Sequence, residues 1–308
     1  MLQTILSKCD FRHGDTRHES CQDCSHGEFC PHDCEKCLDH IHNPSHAPQG
    51  APSRKYDCTH MADVYTCKYS CRYASEIVYA IERCRDLPAV SDLKVLSFGC
   101  GPCTDLFAID YLRSIGTLSY EKLEYRGVDY SKDVWKYVHR DIQQFENADC
   151  KIRFYYQDAC KLIDTIAAGT WVPNIIVFQY VFSDMQKHTG RAETTNFLNT
   201  FARYYNEKVQ PNTYIILNDI NLGTAYGGGR EYFDQLYDKL DDSVCFKGRF
   251  CDDNAKSFYC PRGYPYGEDS WGEFPRNSNR FDYSQWDKYS PFRTCASAQM
   301  LIKKEVQR

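Results

Sequence analysis

Short apolar runs of strand length alternate with segments of helical period over most of the chain after residue 90. The apolar runs cover residues 93–98, 123–129, 152–157, 174–181, 213–219 and 299–303. Helical segments lie between them, and two of these carry apolar faces at Val134, Val138, Ile142, Phe145 and at Phe197, Leu198, Phe201, Tyr205. This alternation predicts an α/β fold with a mainly parallel sheet and helices on both of its faces.

The first apolar run ends in a glycine turn that precedes a helical segment. Gly99 and Gly101 lack a Cβ, so the backbone can turn sharply there and approach a ligand closely. The next strand ends in an acid, Asp129. In nucleotide-binding α/β folds an acid at this place accepts hydrogen bonds from ribose hydroxyls. The first β-α-β unit therefore predicts a site for a nucleotide-like ligand.

Several segments together resemble the class I S-adenosylmethionine-dependent methyltransferases, which have a Rossmann-like sheet. They are Val-Leu-Ser-Phe-Gly-Cys-Gly at 95–101, Gly-Val-Asp at 127–129, Gln-Asp-Ala at 157–159, the strand at 176–181 and the ending Met-Leu-Ile-Lys-Lys at 300–304, which looks like the family's last, antiparallel strand. The resemblance covers residues 73–308 and implies transfer of a methyl group from S-adenosylmethionine. It identifies the superfamily and leaves the subfamily open.

The resemblance also implies which residues bind the cofactor. Gly99 and Gly101 would lie under its methionine portion, Asp129 would hold the ribose, and Tyr130 would pack near the adenine. Asp158 and the backbone of Ala159 would bind the adenine, and Gln179 and Tyr180 would lie beside the transferable methyl group. The chain departs from the family at Ser97, where an acid is usual, and at Cys103, where a third glycine is common.

Two residues beyond the fourth strand are candidates for general-base catalysis. A base is needed only when the methyl acceptor carries a proton. Asp184 and His188 fit that role, and Asp219 and Asn221 are less favoured. The fourth strand continues as Gln-Tyr-Val-Phe-Ser at 179–183, which differs from the Asn/Asp-Pro-Pro-aromatic motif of amino-methylating enzymes. The acceptor therefore stays open.

Residues 1–72 are rich in metal-binding side chains and poor in apolar ones. They hold nine of the 18 cysteines, at positions 9, 21, 24, 30, 34, 37, 58, 67 and 71. The pairs Cys21/Cys24 and Cys34/Cys37 have the spacing of zinc knuckles, and four thiolates complete a tetrahedral shell. Cys30 is a further candidate, and a second site would draw on Cys58, His60, Cys67 and Cys71. We therefore expect a zinc-binding module at 1–72.

Two other interpretations of the cysteines are open, namely disulfides and an iron–sulfur cluster. Disulfides need an oxidising compartment, whereas the first ten residues contain Lys8 and Asp10 and do not resemble a secretory signal. The spacing of Cys30, Cys34 and Cys37 also fits the iron–sulfur cluster of radical S-adenosylmethionine enzymes, but the rest of the chain predicts a different fold. These points favour zinc and a cytoplasmic protein.

Composition narrows the function classes. The net charge of −5 argues against a protein that coats nucleic acid by charge alone, and no apolar segment reaches transmembrane length. Residues 73–308 are expected to form the methyltransferase-like domain, with an insert rich in aromatic residues and glycine at 223–297. Our leading hypothesis is methyl transfer to RNA or a ribosome-associated target. Two alternatives are a methyltransferase for a small molecule or protein with a purely structural zinc module, and a non-catalytic binding protein on the same scaffold.

Overall fold

A seven-stranded sheet forms the centre of the protein in the computed structural model, which describes residues 1–15, 29–31, 33–51, 55–84, 87, 90–249 and 279–306. The strands are β1 (Asp92–Phe98), β2 (Lys122–Asp129), β3 (Cys150–Tyr156), β4 (Ile175–Gln179), β5 (Tyr214–Ile220), β6 (Ser243–Arg249) and β7 (Ser297–Lys304). Their order across the sheet is β3-β2-β1-β4-β5-β7-β6. The strands from β1 to β5 pair in parallel, and β7 is antiparallel to both β5 and β6.

Helices cover both faces of the sheet. One face packs against α3 (Thr59–Ile81), α4 (Thr104–Ser114) and α5 (Lys132–Gln143). The other packs against α6 (Ala159–Ala167), α7 (Val181–His188), α8 (Arg191–Lys208) and α9 (Glu231–Tyr237). The side chains of β1 alternate between these two cores, with Val95 in the first and Leu96 and Phe98 in the second. This arrangement confirms the predicted Rossmann-like fold class, including its antiparallel last strand.

The N-terminal segments pack onto the first face of the sheet domain. They form α1 (Leu2–Asp15), α2 (Cys34–His42) and the first part of α3. Leu6, Leu38 and Ile41 belong to the same buried core as β1 and β2. Arg12 of α1 pairs with two buried acids, Asp63 of α3 at 2.6 Å and Asp141 of α5. The expected division at residues 72 and 73 falls inside α3, which runs through it without a break.

The region between β5 and β7 contains one strand more than the sequence pattern predicts. A short helix, α9, lies there with Phe233 and Leu236 buried. The additional strand β6 pairs along β7 and forms the edge of the sheet. The fourth strand is also shorter than expected, because Tyr180 turns into the left-handed region at a φ of 59° and begins α7. Residues 250–278 of the insert lie outside the described residues.

Candidate functional site

The turn after β1 brings the backbone close to two neighbouring helices. Gly99 and Gly101 have positive φ values of 58° and 46°, which a glycine adopts without steric cost. A Cβ at Gly99 would lie 2.9 Å from Cγ2 of Val181, the first residue of α7. A Cβ at Gly101 would contact the Trp135 ring at 3.6 Å. A side chain at position 99 would therefore collide with Val181, so the close packing of this turn against α7 requires glycine there.

Asp129 connects this turn to the end of β2. Its Oδ2 accepts a hydrogen bond from the Gly101 N–H at 3.0 Å, and its Oδ1 accepts one from the Ser131 N–H at 2.8 Å. Burial raises the pKa of Asp129, although both backbone donors and the nearby His139 act in the opposite direction. Each carboxylate oxygen has a second lone pair. The residue is thus fixed in position and retains acceptor capacity for a ligand.

Gln179 and Tyr180 lie at the end of β4, next to the same turn. Gln179 accepts a hydrogen bond from Thr104 of α4 and donates one to the Tyr73 carbonyl oxygen at 2.8 Å. The Tyr180 ring packs against the Tyr73 ring with centroids 4.2 Å apart. These contacts place the end of β4 beneath helix α3. The structure therefore brings Gly99, Gly101, Asp129, Gln179 and Tyr180 together at the carboxyl ends of three adjacent strands.

A buried glutamate that the sequence analysis missed organises the α3 side of this edge. Glu76 accepts hydrogen bonds from Tyr180 Oη at 2.8 Å and from Asn218 Nδ2 of β5 at 2.8 Å. Its other oxygen accepts from Arg72 Nε at 3.1 Å and from the Ala296 N–H at 3.2 Å. The available signal was an acid within the apolar stretch 73–81, because a fully buried charge needs partners.

Four aromatic rings form a row that leads outward from Tyr180. Tyr73 follows Tyr180, Tyr69 stacks on Tyr73 at 5.4 Å, and Phe292 stacks on Tyr69 at 5.6 Å. Phe292 is 42% exposed, and the Arg72 guanidinium lies 4.7 Å from its ring centroid. We call Tyr69, Tyr73, Tyr180 and Phe292 the aromatic row. Its rings connect the site to the protein surface, where the exposed Phe292 and the Arg72 cation form its outer end.

The two expected catalytic residues lie on one face of α7. His188 Nε2 is 3.4 Å from Asp184 Oδ1, and their side chains are 21% and 51% exposed. Burial raises the pKa values of Asp129, Tyr56 and Tyr65, and the negative charge of Asp184 adds to each shift, so Asp184 lies near the site. A partly exposed carboxylate beside an imidazole can accept a proton and pass it to solvent.

Asp219, at the end of β5, is buried and hydrogen-bonded to the backbone. Its Oδ2 accepts from the N–H groups of Phe182 and Ser183 at 3.0 and 3.1 Å, at the start of α7. Burial raises the pKa of Asp219 to about 6, with its hydrogen-bond donors acting in the opposite direction. A Cβ on Gly229 would lie 2.3 Å from Asp219 Oδ2, so the loop after β5 also closes over it. Asp219 therefore anchors α7, the helix that carries Asp184.

The remaining predicted cofactor residues lie at the outer part of the same edge. Tyr130 follows β2 and is 84% exposed. Asp158 is the N-cap of α6, and its Oδ1 accepts a hydrogen bond from the Lys161 N–H at 3.0 Å. Ala159 is the first residue of that helix. An exposed ring after β2 and an acid after β3 flank the ends of two adjacent strands.

Ser97 has a buried acid next to it. Asp105, in the first turn of α4, accepts a hydrogen bond from Tyr125 Oη at 2.9 Å. Burial raises the pKa of Asp105, and hydrogen bonding to Ser97 and Tyr125 partly compensates. The chain thus carries a carboxylate adjacent to the position where serine replaces the acid usual in the resembled family.

Cys103 forms a buried cluster with Cys100 and His139. The three ligating atoms lie within 4.8 Å of one another. Burial raises the pKa of the Cys103 thiol, but its hydrogen bond to Cys100 and the neighbouring His139 ring outweigh burial and lower that pKa to about 7. Cys103 also stands in the left-handed region with a φ of 62° and forms the N-cap of α4. In the sequence alone, Cys103 is noted only as a departure from the third glycine that the resembled family commonly has.

The predicted N-terminal metal ligands that the structure describes lie at four places. Cys34 and Cys37 are buried in the first turns of α2, Cys58 is the N-cap of α3, and Cys30 is partly exposed. Cys67 and Cys71 are buried in α3, where Cys67 Sγ donates to the Leu6 carbonyl oxygen at 3.7 Å. Cys21 and Cys24 lie outside the described residues. The only group of three potential ligands within the described residues is Cys100, Cys103 and His139.

Three solved structures that resemble this chain are methyltransferases by their descriptions. The plantazolicin methyltransferase BpumL in complex with SAH has 14% identity and a TM-score of 0.42, over 99% of this chain and 100% of that one. The methyltransferase TomG of Streptomyces achromogenes in complex with SAM has 9% identity and a TM-score of 0.42, over 89% of each chain. A Haloferax volcanii complex of the activator Trm112 with a methyltransferase described as putative has 12% identity and a TM-score of 0.41, over 77% and 96%.

These similarities are low, and the fold assignment therefore rests on the strand order and direction. No family model matches the sequence, and no curated protein matches it. Among the described helices, none is both long enough and apolar enough to cross a membrane.

Proposed function

We propose that this protein is an S-adenosylmethionine-dependent methyltransferase. The observation that carries the proposal is the hydrogen bond from the Gly101 N–H to the Asp129 carboxylate at 3.0 Å. It joins the glycine turn after β1 to the acid after β2, at the sheet edge where α/β folds bind nucleotide-like ligands. The resembled family has the same two features in the same order.

The residues at this edge fit the cofactor in three respects. The positive φ values of Gly99 and Gly101 form a tight turn without side chains, which lets a ligand such as the methionine portion approach the backbone closely. Asp129 is held by two backbone donors and can accept from the ribose hydroxyls. Asp105, beside Ser97, places a buried carboxyl group near the position of the family's acid. When bound, S-adenosylmethionine would supply an electrophilic methyl group on its sulfonium.

The protein's residues would hold the acceptor and manage its proton. Tyr180 is fixed by Glu76 and Tyr73, so its ring forms a rigid wall beside the expected methyl position. Asp184, next to His188, is the candidate base when the acceptor is protonated. We assign Asp219 the separate task of holding α7 in place.

We propose RNA, or a ribosome-associated target, as the acceptor. Sequence-specific RNA recognition commonly stacks unpaired bases on aromatic side chains and arginine. The aromatic row ends at the exposed Phe292 with Arg72 above it, which suits a flat base. The net charge of −5 then requires a local contact instead of a broad basic surface. The alternative acceptors are a small molecule or a protein that presents a flat group to the aromatic row.

The N-terminal cysteines are proposed as ligands of structural zinc. Cys34 and Cys37 begin α2 and Cys58 begins α3, and all three are buried. Together with Cys21 and Cys24 they would fix α2 against α3, the helix that carries the aromatic row. This role would connect metal binding to the acceptor side of the site.

One experiment tests both the activity and the acceptor. The full chain is incubated with methyl-labelled S-adenosylmethionine and with separated RNA, protein and small-molecule fractions of a cell extract. We expect label in the RNA fraction that nuclease removes and protease leaves. Phe292→Ala should lower the rate at limiting RNA, whereas Phe11→Ala, at a ring that is 72% exposed on α1, should not. Label in the protein or small-molecule fraction would show that the acceptor is not RNA. Absence of label from all three fractions would refute the proposed activity.

A further inference from the structure

The turn after β1 contains a set of metal donors that the methyltransferase proposal does not use. Cys100 and Cys103 flank Gly101 and Pro102, and His139 reaches them from α5. All three side chains are buried, and their ligating atoms lie within 4.8 Å of one another. His139 Nε2 is 3.9 Å from Cys100 Sγ. We propose that Cys100, Cys103 and His139 form a zinc site that braces this turn from below.

The donor set selects zinc among common metal ions. Two thiolates and one imidazole are ligands that zinc prefers, whereas magnesium and calcium require oxygen donors. The two cysteines have the Cys-x-x-Cys spacing of a zinc knuckle, and the Cys103 N–H donates to the Cys100 carbonyl oxygen at 2.7 Å to close the turn between them. The nearby carboxylate of Asp129 is already held by two backbone N–H groups.

The surroundings hold each donor in place. A Cβ on Gly127 would lie 2.8 Å from Cys100 Sγ, so this thiol rests against the backbone of β2. The His139 ring stacks on Phe154 with centroids 3.9 Å apart, and its Nδ1 lies 2.8 Å from Tyr156 Oη. A hydrogen bond on the outer nitrogen is the usual way in which proteins orient a metal-binding histidine.

Metal binding requires one change of proton position. In the structure His139 Nε2 lies 2.6 Å from the Gly101 carbonyl oxygen, which fits an N–H on that nitrogen. With zinc bound, the neutral ring takes its other tautomer: the proton leaves Nε2 and one proton is held on Nδ1, where Tyr156 Oη accepts the hydrogen bond. Both thiols lose their protons as well. The fourth position of a tetrahedral ion is left to water or to the Gly101 carbonyl oxygen.

Zinc at this place would also explain the unusual backbone of Cys103. Its φ of 62° is unfavourable for a residue other than glycine. Coordination through Sγ would hold the residue there, where the family commonly has a glycine. The ion would thus stabilise the turn whose upper side faces the proposed cofactor.

The test uses the full chain purified in the presence of zinc. Crystals measured on both sides of the zinc absorption edge should show an anomalous peak between Cys100 Sγ, Cys103 Sγ and His139 Nε2. Elemental analysis should show that Cys100→Ser and Cys103→Ser each lose one equivalent of zinc per chain. The control Cys160→Ser, at a partly exposed cysteine of α6, should lose none.

Two results would overturn the site. One is an anomalous map with zinc at the N-terminal cysteines and no peak at this cluster. The other is a zinc content that is the same in the wild type, Cys100→Ser and Cys103→Ser. The map uses the wild-type chain, so the test does not depend on whether the variants fold. It is also independent of methyl transfer, because neither measurement requires cofactor or acceptor.

Discussion

Replacing Asp129 by asparagine should separate cofactor binding from folding. The side chain keeps its size, and one oxygen can still accept from the Ser131 N–H or the Gly101 N–H. The other backbone donor then faces an amide N–H₂ group that cannot accept from it. The ribose of the proposed cofactor loses a charged acceptor at the same time. Folding and binding are therefore affected by different parts of the same change.

The magnitude follows from the two kinds of hydrogen bond. A hydrogen bond to a charged group contributes about 1.5–3 kcal/mol, so cofactor affinity should fall about 10- to 150-fold. The effect on the free energy of unfolding should be smaller. Loss of one backbone hydrogen bond destabilises the fold by about 1 kcal/mol, whereas neutralising a partly buried carboxyl with a raised pKa acts in the opposite direction.

Isothermal titration calorimetry with S-adenosylhomocysteine measures the affinity, and urea denaturation measures the stability. The control is Asp133→Asn, which neutralises an exposed acid in the first turn of α5. We expect the control to bind as the wild type does. An Asp129→Asn protein that is folded and binds with unchanged affinity would refute the ribose assignment.

Four further predictions concern the surroundings of the site. Glu76→Ala should destabilise the fold by about 3–5 kcal/mol in urea, because it leaves the Arg72 guanidinium, on a side chain only 13% exposed, without its carboxylate. Gly99→Ala should cost about 1–2 kcal/mol and weaken cofactor binding, because φ is 58° and Val181 blocks the new Cβ. Burial raises the pKa of Asp219 to about 6 in the folded protein, so its contribution should make the free energy of unfolding decrease as pH rises from about 4 to 6. Asp219→Asn should flatten that part of the stability–pH curve. Joint replacement of Cys34 and Cys37 by serine should remove at least one zinc equivalent from the full chain.

The sign for Asp219 follows from proton binding. The folded protein holds this proton up to about pH 6, whereas the unfolded chain releases it near its ordinary value of 3.8. The folded state therefore binds more protons in between, and stability decreases as pH rises through that window. A difference curve between wild type and Asp219→Asn that is flat from pH 4 to 7 would contradict the burial argument.

A specific result would contradict each of the other three predictions. Glu76→Gln keeps the hydrogen bonds from Tyr180 and Asn218 only in part, so it should fall between wild type and Glu76→Ala. An equal loss for both variants would show that charge plays no part. If Gly99→Ala were as stable as the wild type, α7 would have to move away from the new Cβ at no cost in free energy. Iron and acid-labile sulfide in place of zinc would favour a cluster over the zinc module.

The sequence by itself determined the elements and one part of the site. Strand and helix periods are local, so β1 to β5, β7 and most helices could be predicted from neighbouring residues alone. The meeting of Gly101 and Asp129 was also predictable, because parallel strands joined by one helix end at the same edge of a sheet. The extra strand β6 was not, since its pairing with β7 depends on a distant segment.

Only the tertiary structure decided which distant side chains meet. Glu76 contacts Tyr180 across 104 positions of sequence and Asn218 across 142, and no local pattern encodes those distances. Likewise His139 reaches Cys100 only because α5 packs beneath the turn after β1. The role of Asp219 changed for the same reason, from a less favoured candidate base to a buried residue that accepts hydrogen bonds from the start of α7. Burial and partner choice arise from packing, and packing depends on the whole chain.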